Sequence, residues 1–255
     1  TLARQLRWQR PRLTWRFVFG PGTIGSLTWL SRNEEHLSSV VGGLVIGSLG
    51  DAGPLTYKRS RRGDTATDRV VEHVLASSAA ASRVLDFEPY GYDERQFCSP
   101  GFDLPIGRLT RSPNGAYAEY HTSADNLSLV KPEQLAESLR ILARILSVMD
   151  CNRQLLNLSG KVEPRVGKRG LYGTIGGMAP GEFEHALLWV LSLADGEHDL
   201  VAMACRANLG IELLDRAAGA LEAAGLVKTL GVQTPASSTT PAMRAAARRT
   251  ERPRP

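Results

Sequence analysis

The sequence predicts an α/β protein, a sheet flanked by helices, followed by a small winged-helix domain. Three observations predict it. Short β-type runs alternate with helical patterns through the first 150 or so residues, the order that gives layered α/β folds. One of those runs, Val40–Leu49 ("VVGGLVIGSL"), is almost wholly apolar, like a strand covered on both faces of a parallel sheet. The region 182–231 reads helix, turn, helix, turn, helix, strand, the order of a winged helix.

Taken in order, "TWRFVF" (Thr14–Phe19) reads as a strand, and "GPGTIGS" turns the chain into a helix at about Ile24–Glu34. After Val40–Leu49 come a helix at about Asp64–Ser78, a strand near Val84–Phe87, a long loop and a strand in Leu104–Arg111. Pro132–Asp150 is a helix: Pro132 suits a first turn, and Leu135, Leu139, Leu142, Leu146 and Met149 form one apolar stripe. The expected domains are 1–156 (α/β), 157–181 (a Gly-rich basic linker), 182–231 (winged helix) and 232–255, a disordered tail rich in Pro, Ser, Thr, Ala and Arg.

At 255 residues, 42% hydrophobic and 22% charged, the chain can bury one sizeable core and a smaller one. It has no apolar run near the roughly 20 residues of a membrane span, and a membrane role is set aside. Cys98, Cys151 and Cys205 are odd in number and lack CxxC spacing, which points to reduced thiols and a cytoplasmic setting. The start lacks a signal peptide and an initiator Met, so entry into the middle of a fold is expected. The net charge of +5 sits at the ends: residues 1–16 carry five Arg and no acid, and 240–255 carry five Arg against Glu251. The remaining body is acidic, so the basic balance is poor support for nucleic-acid binding.

Sites in open α/β sheets gather at the carboxyl ends of strands. Gly50–Asp51, Tyr90–Arg95 and Asn114–Asp125 each follow an expected strand and are expected to converge on one edge. They would bring together Asp51, Asp93, Glu94, His121 and Asp125. The loop Glu88–Asp103 is long and rich in aromatics, which favours a functional loop over a disordered one.

"GTIGSLTWLSRNE", "LGDAGPLTYKRSRRGD", "PYGYDERQFCSPGF" and "EYHTSADNL" together resemble a bacterial family of unknown function. Its members join a zinc aminopeptidase-like domain to a C-terminal winged helix. The resemblance runs from about Trp15 to Lys228 and implies a zinc-exopeptidase-like fold that is present here only in part. It implies that His121 is a zinc ligand, that Asp125 supports it, and that Asp51 is a second ligand at a strand end. Asp93 and Glu94 match the acidic loop facing the site, and Lys58, Arg59, Arg61 and Arg62 would stand at its rim to bind an anionic substrate. Catalytic zinc takes three His or carboxylate ligands and an open position for an acidified water. The family's first His and bridging Asp have no counterpart before Trp15, and Gly22 stands where some relatives offer a Glu base. The implied function is a zinc-dependent aminopeptidase-like hydrolase, incomplete in this chain. Its substrate would be small and peptide-like or amino-acyl, and the family's association with surface polysaccharide synthesis suits a modified sugar or glycopeptide.

The same residues have plainer readings. Asp51 in "LGDAGP" suits a turn, Asp93, Glu94 and Arg95 can pair with one another, and Lys58–Arg62 can be a solvated charge run. In the winged helix the expected third helix carries Glu212, Asp215 and Glu222 against Arg216 alone, which disfavours phosphate contact. A non-catalytic assembly or regulatory protein is therefore the alternative. Its winged helix would bind protein rather than DNA, and a second copy of the chain is a candidate partner.

Overall fold

The computed structural model describes Leu2, 11–162 and 181–231. Contacts divide the described chain into two compact units, one of Trp15–Ile141 and one of Leu142–231 with 11–14.

The first unit is a helix-flanked mixed sheet, so the α/β class read from the sequence is observed. Its elements are α1 (Ile24–Asn33), β1 (Gly43–Ile46), β2 (Leu55–Lys58), α2 (Ala66–Ala76), β3 (Ser82–Leu85), the single turn α3 (Glu94–Phe97) and β4 (Ile106–Thr110). A 20-residue helix, α4 (Pro132–Cys151), follows. The sheet order is β1-β4-β2-β3. β1 runs parallel to β4 and β2 parallel to β3, but β2 is antiparallel to β4. The carboxyl ends of β1 and β4 therefore lie at one edge, and those of β2 and β3 at the other.

Side chains alternate across this sheet. Tyr57 and Leu109, paired across β2 and β4, are fully buried. Tyr57 donates to Asp68 of α2 at 2.8 Å, so α2 covers that face. Asp68 also accepts from Ser60 N, Ser60 Oγ and Thr65 Oγ1 at 2.6–2.7 Å, and with Thr65 it closes a capping box at the start of α2. Burial pushes the Asp68 carboxyl up, but these hydrogen bonds outweigh it and hold it below its ordinary value. Leu30, Leu37, Leu104 and Ile106 form a second apolar cluster with Trp29, Val45 and Phe97, seating α1 beside β1.

Several sequence expectations shift. Thr14–Phe19 forms no strand; β-type residues make a strand only where a partner supplies hydrogen bonds, and Phe19 is 93% exposed. β2 was not expected, and only its last residue, Lys58, belongs to the stretch Lys58–Arg62 read as a charge run. The helix at 132 is present, but its buried side is Ser138, Ile141, Leu142, Ile145, Val148 and Met149, while Leu135 and Leu139 are exposed. The expected stripe is thus rotated toward the preceding residue in each turn.

The second unit is the winged helix: β5 (Gln154–Asn157), α5 (Glu182–Leu193), β6 (Asp195–Asp199), α6 (Leu200–Ala207), α7 (Ile211–Ala223) and β7 (Val227–Thr229). Its three-stranded antiparallel sheet has the order β6-β5-β7. Leu155, Leu187, Val190, Leu200, Met203, Leu214 and Leu221 fill its core at 0% exposure. β6, "DGEHD", was not expected because it is wholly polar. The contact division falls inside α4 rather than at 156, since β5 pairs with β6 and β7. Most of the expected linker (163–180) and the expected tail (232–255) lie outside the described residues.

Candidate functional site

The loops after β1 and β4 meet, as expected, at one edge of the sheet. Asp51 stands in the turn after β1. Its Oδ1 accepts from Gly53 N at 2.8 Å and Ser112 Oγ at 2.6 Å, and its Oδ2 from Ser112 N at 3.3 Å. The carboxylate thus ties the two loops together. Arg111 reinforces the junction from below: it is 2% exposed and donates to the carbonyls of Leu49, Gly53 and Gln134 and to Ser138 Oγ and Glu137.

Beyond Ser112 the chain folds back as a series of turns that carries Tyr117, Tyr120, His121 and Asp125. His121 is exposed, has φ +60° and stacks on Tyr120, with ring centroids 4.0 Å apart. Tyr117 donates to Asp125 Oδ2 at 3.2 Å. Burial, then the bond and charge of Asp125, then the charge of Asp51 push the Tyr117 hydroxyl up. Tyr117 is therefore the group that feels both carboxylates.

Asp93, Glu94, Arg59 and Arg62 do not join this edge. The loop after β3 begins at the opposite one, because β2 reverses the direction of half the sheet. Glu94 is fully buried and accepts from Lys58 Nζ at 2.9 Å and from Tyr92 N at 3.1 and 3.2 Å. Lys58 also donates to Tyr90 O at 2.5 Å. Asp93 accepts from Ser26 of α1 at 3.0 Å. Burial, then the neighbouring Glu94, push its carboxyl up, against the pull of Ser26 and Arg108. Arg59 is committed to Glu72 and Asp86, and Arg61 and Arg62 to Asp103. These cations brace the fold, as in the plainer reading of the run.

One residue that the sequence reading passed over links the two groups. Arg108 lies mid-strand in β4, 6% exposed, and donates through Nη2 to Asn114 Oδ1 at 2.7 Å. Its guanidinium carbon lies 5.5 Å from the Tyr92 ring centroid. It therefore touches the loop after β4 and the loop after β3 at once. The sequence signal was an Arg inside the apolar run "LPIGRL", at a strand position where a charge is costly.

The donors present do not make a zinc centre by themselves. Among the described residues no three of His, Cys, Asp and Glu gather as a metal site, whereas catalytic zinc takes three protein ligands. Both Asp51 oxygens already accept hydrogen bonds. No described helix is long and apolar enough to cross a membrane.

In chain order the sheet is followed by the winged helix, and comparison with known proteins finds the same two domains in the same order. Residues 1–152 match a family described as a domain of unknown function (DUF4910), and residues 138–229 match a winged helix-turn-helix. The chain belongs to the DUF4910 family. It is 43% identical over 228 residues to a Clostridium acetobutylicum protein named "Putative polysaccharide biosynthesis protein with aminopeptidase-like domain", covering 89% of this chain and 52% of that one. A crystal structure titled "putative peptidase", also from C. acetobutylicum, superposes with a TM-score of 0.75 at 39% identity, covering 90% of this chain and 52% of that one. The chain spans about half the length of these relatives.

Proposed function

We propose that the first unit is part of a zinc-dependent aminopeptidase-like hydrolase acting on a small peptide-like or amino-acyl substrate. The name of the C. acetobutylicum relative further suggests a substrate from polysaccharide biosynthesis. The observation that carries the reading is the 43% identity over 228 residues to a protein named for its aminopeptidase-like domain. His121 and Asp51 are the two donors this chain would offer zinc, from loops that share one edge. Two donors fall short of the three a catalytic zinc takes, so the remaining ligands and the general base lie beyond them, and no catalytic step is assigned to these residues alone. When bound, zinc would acidify a water for attack on a carbonyl. Asp125, through Tyr117, would hold the loop that carries His121.

Equilibrium dialysis against fixed free zinc, followed by elemental analysis, tests this. The wild-type chain is expected to take up more zinc than His121→Ala or Asp51→Asn. Equal uptake by all three would remove these residues from any metal site.

One observation favours a second reading for the winged helix. The exposed and half-exposed side of α7 carries Glu212, Asp215 and Glu222 against Arg216. Asp215 is paired with Arg153 and Glu212 with Arg144. With those pairs made, Glu222 stands against Arg216 and the face offers phosphates no net positive charge, so we read the unit as a protein-docking module, with a second copy of the chain as one candidate partner.

A further inference from the structure

Lys58 and Arg108 stand directly opposite each other in the register of β2 and β4, so their side chains leave the same face of the sheet. Like charges in that position repel. Lys58 is answered by Glu94 at 2.9 Å. Among the described residues Arg108 makes no ion pair: its one hydrogen bond goes to the neutral Asn114, and its buried Nε has no hydrogen-bond partner. A guanidinium that is 6% exposed and touches no carboxylate directly among the described residues is costly to keep. Such a buried unpaired donor calls for an explanation, and a ligand that completes it is a direct one.

The surroundings say which ligand. A guanidinium offers a planar fork that matches the two oxygens of a carboxylate. Asp93 lies within the electrostatic reach of Arg108, so a singly charged group is favoured there, and the second charge of a phosphate would meet a carboxylate. Tyr92, over the guanidinium and 38% exposed, supplies aromatic surface beside it.

We propose that Arg108, Asn114 and Tyr92 form a subsite for a carboxylate group of the substrate. The proposal deepens the hydrolase reading and rests on it for the word substrate, while the subsite itself needs neither zinc nor turnover.

The test is a titration of the full ¹⁵N-labelled chain in the presence of a chelator, read at the Arg108 Nε–H resonance, which is assigned by its loss in Arg108→Met. The probes are N-acetyl-L-alanine for a peptide carboxylate, D-glucuronate for a sugar carboxylate, inorganic phosphate, and N-acetyl-L-alaninamide as the uncharged control. A saturable shift with at least one carboxylate is expected, with phosphate and the amide at least tenfold weaker; the carboxylate that binds identifies the source. Tyr92→Ala is expected to change that affinity several-fold. Arg108→Met removes a buried charge that has no direct ion pair among the described residues and is expected to raise the unfolding midpoint of the ligand-free protein by about 2–4 °C. No shift with either carboxylate, or an equal shift with phosphate, overturns the proposal. So does a lowered midpoint or failed folding in Arg108→Met, which would make the guanidinium structural. Because zinc is chelated throughout, failure of the zinc reading leaves each outcome intact.

Discussion

Glu94→Gln cuts the buried ion pair that fixes the loop after β3 to the end of β2. Glu94 is fully buried and the Lys58 side chain is 10% exposed, with Nζ 2.9 Å from Oε1. Gln keeps an oxygen for Tyr92 N but removes the negative charge, leaving Lys58 with the Tyr90 carbonyl at 2.5 Å as its remaining polar contact. Breaking one half of a buried pair costs about 3–5 kcal/mol. The retained carbonyl and residual exposure of Lys58 place this case near the lower end, about 3 kcal/mol, or about a hundredfold. The assay is native-state hydrogen exchange at the amides of Tyr57 and Leu109, in the two strands nearest the pair. They should exchange about a hundred times faster in Glu94→Gln, and Lys58→Met/Glu94→Gln should recover most of the loss, because the stranded charge is gone. A loss below about 1 kcal/mol, the range of an exposed pair, or a double variant no better than the single one, would refute the reasoning.

Three further outcomes follow from the same kind of geometry. Burial pushes the Asp195 carboxyl up, but hydrogen bonds from the backbone and ring of His198 and from Glu197 N together outweigh it and hold the carboxyl down at about 2. Its folded value lies below its unfolded one, so its contribution is present above the ordinary carboxylate range and is lost as pH falls toward about 2; amide exchange in β6 at acid pH should show this, and His198→Ala should reduce the dependence. Asp199, 4% exposed, caps α6 by accepting from Ala202 N at 2.8 Å and also holds Asn152 at 3.1 Å, so Asp199→Ala should destabilise the winged helix by about 1–2 kcal/mol in urea unfolding. Cys205 is exposed, whereas Cys98 is buried and burial pushes its thiol up; a thiol-disulfide reagent should label Cys205 in the native protein and Cys98 only after unfolding.

The elements legible in the sequence were those whose pattern is local. α1, α4 and the winged-helix core announce themselves by apolar residues at helical spacing, and β1 and β4 by compact apolar runs. β2 was missed because "LTYK" is only four residues long and runs into a basic stretch: Lys58 is buried by virtue of Glu94, which lies 36 residues away. Without β2 the sheet looks parallel, so the loop of Asp93 and Glu94 was placed at the edge of Asp51 and His121 when it starts from the other. The reverse error befell Thr14–Phe19, whose residues favour a strand but which finds no strand partner among the described residues. Arg108 illustrates a third limit. An Arg in an apolar run can be noticed, but whether it is neutralised depends on contacts with Asn114 and Tyr92 that only the fold creates.

The most direct measurement of the central claim follows the imidazole resonances of His36, His73, His121, His185 and His198 during a zinc titration of the intact chain. The account predicts that His121 responds at the lowest zinc concentration and that Asp51→Asn weakens this response. A titration in which His121 responds together with the other histidines, or after them, would contradict it.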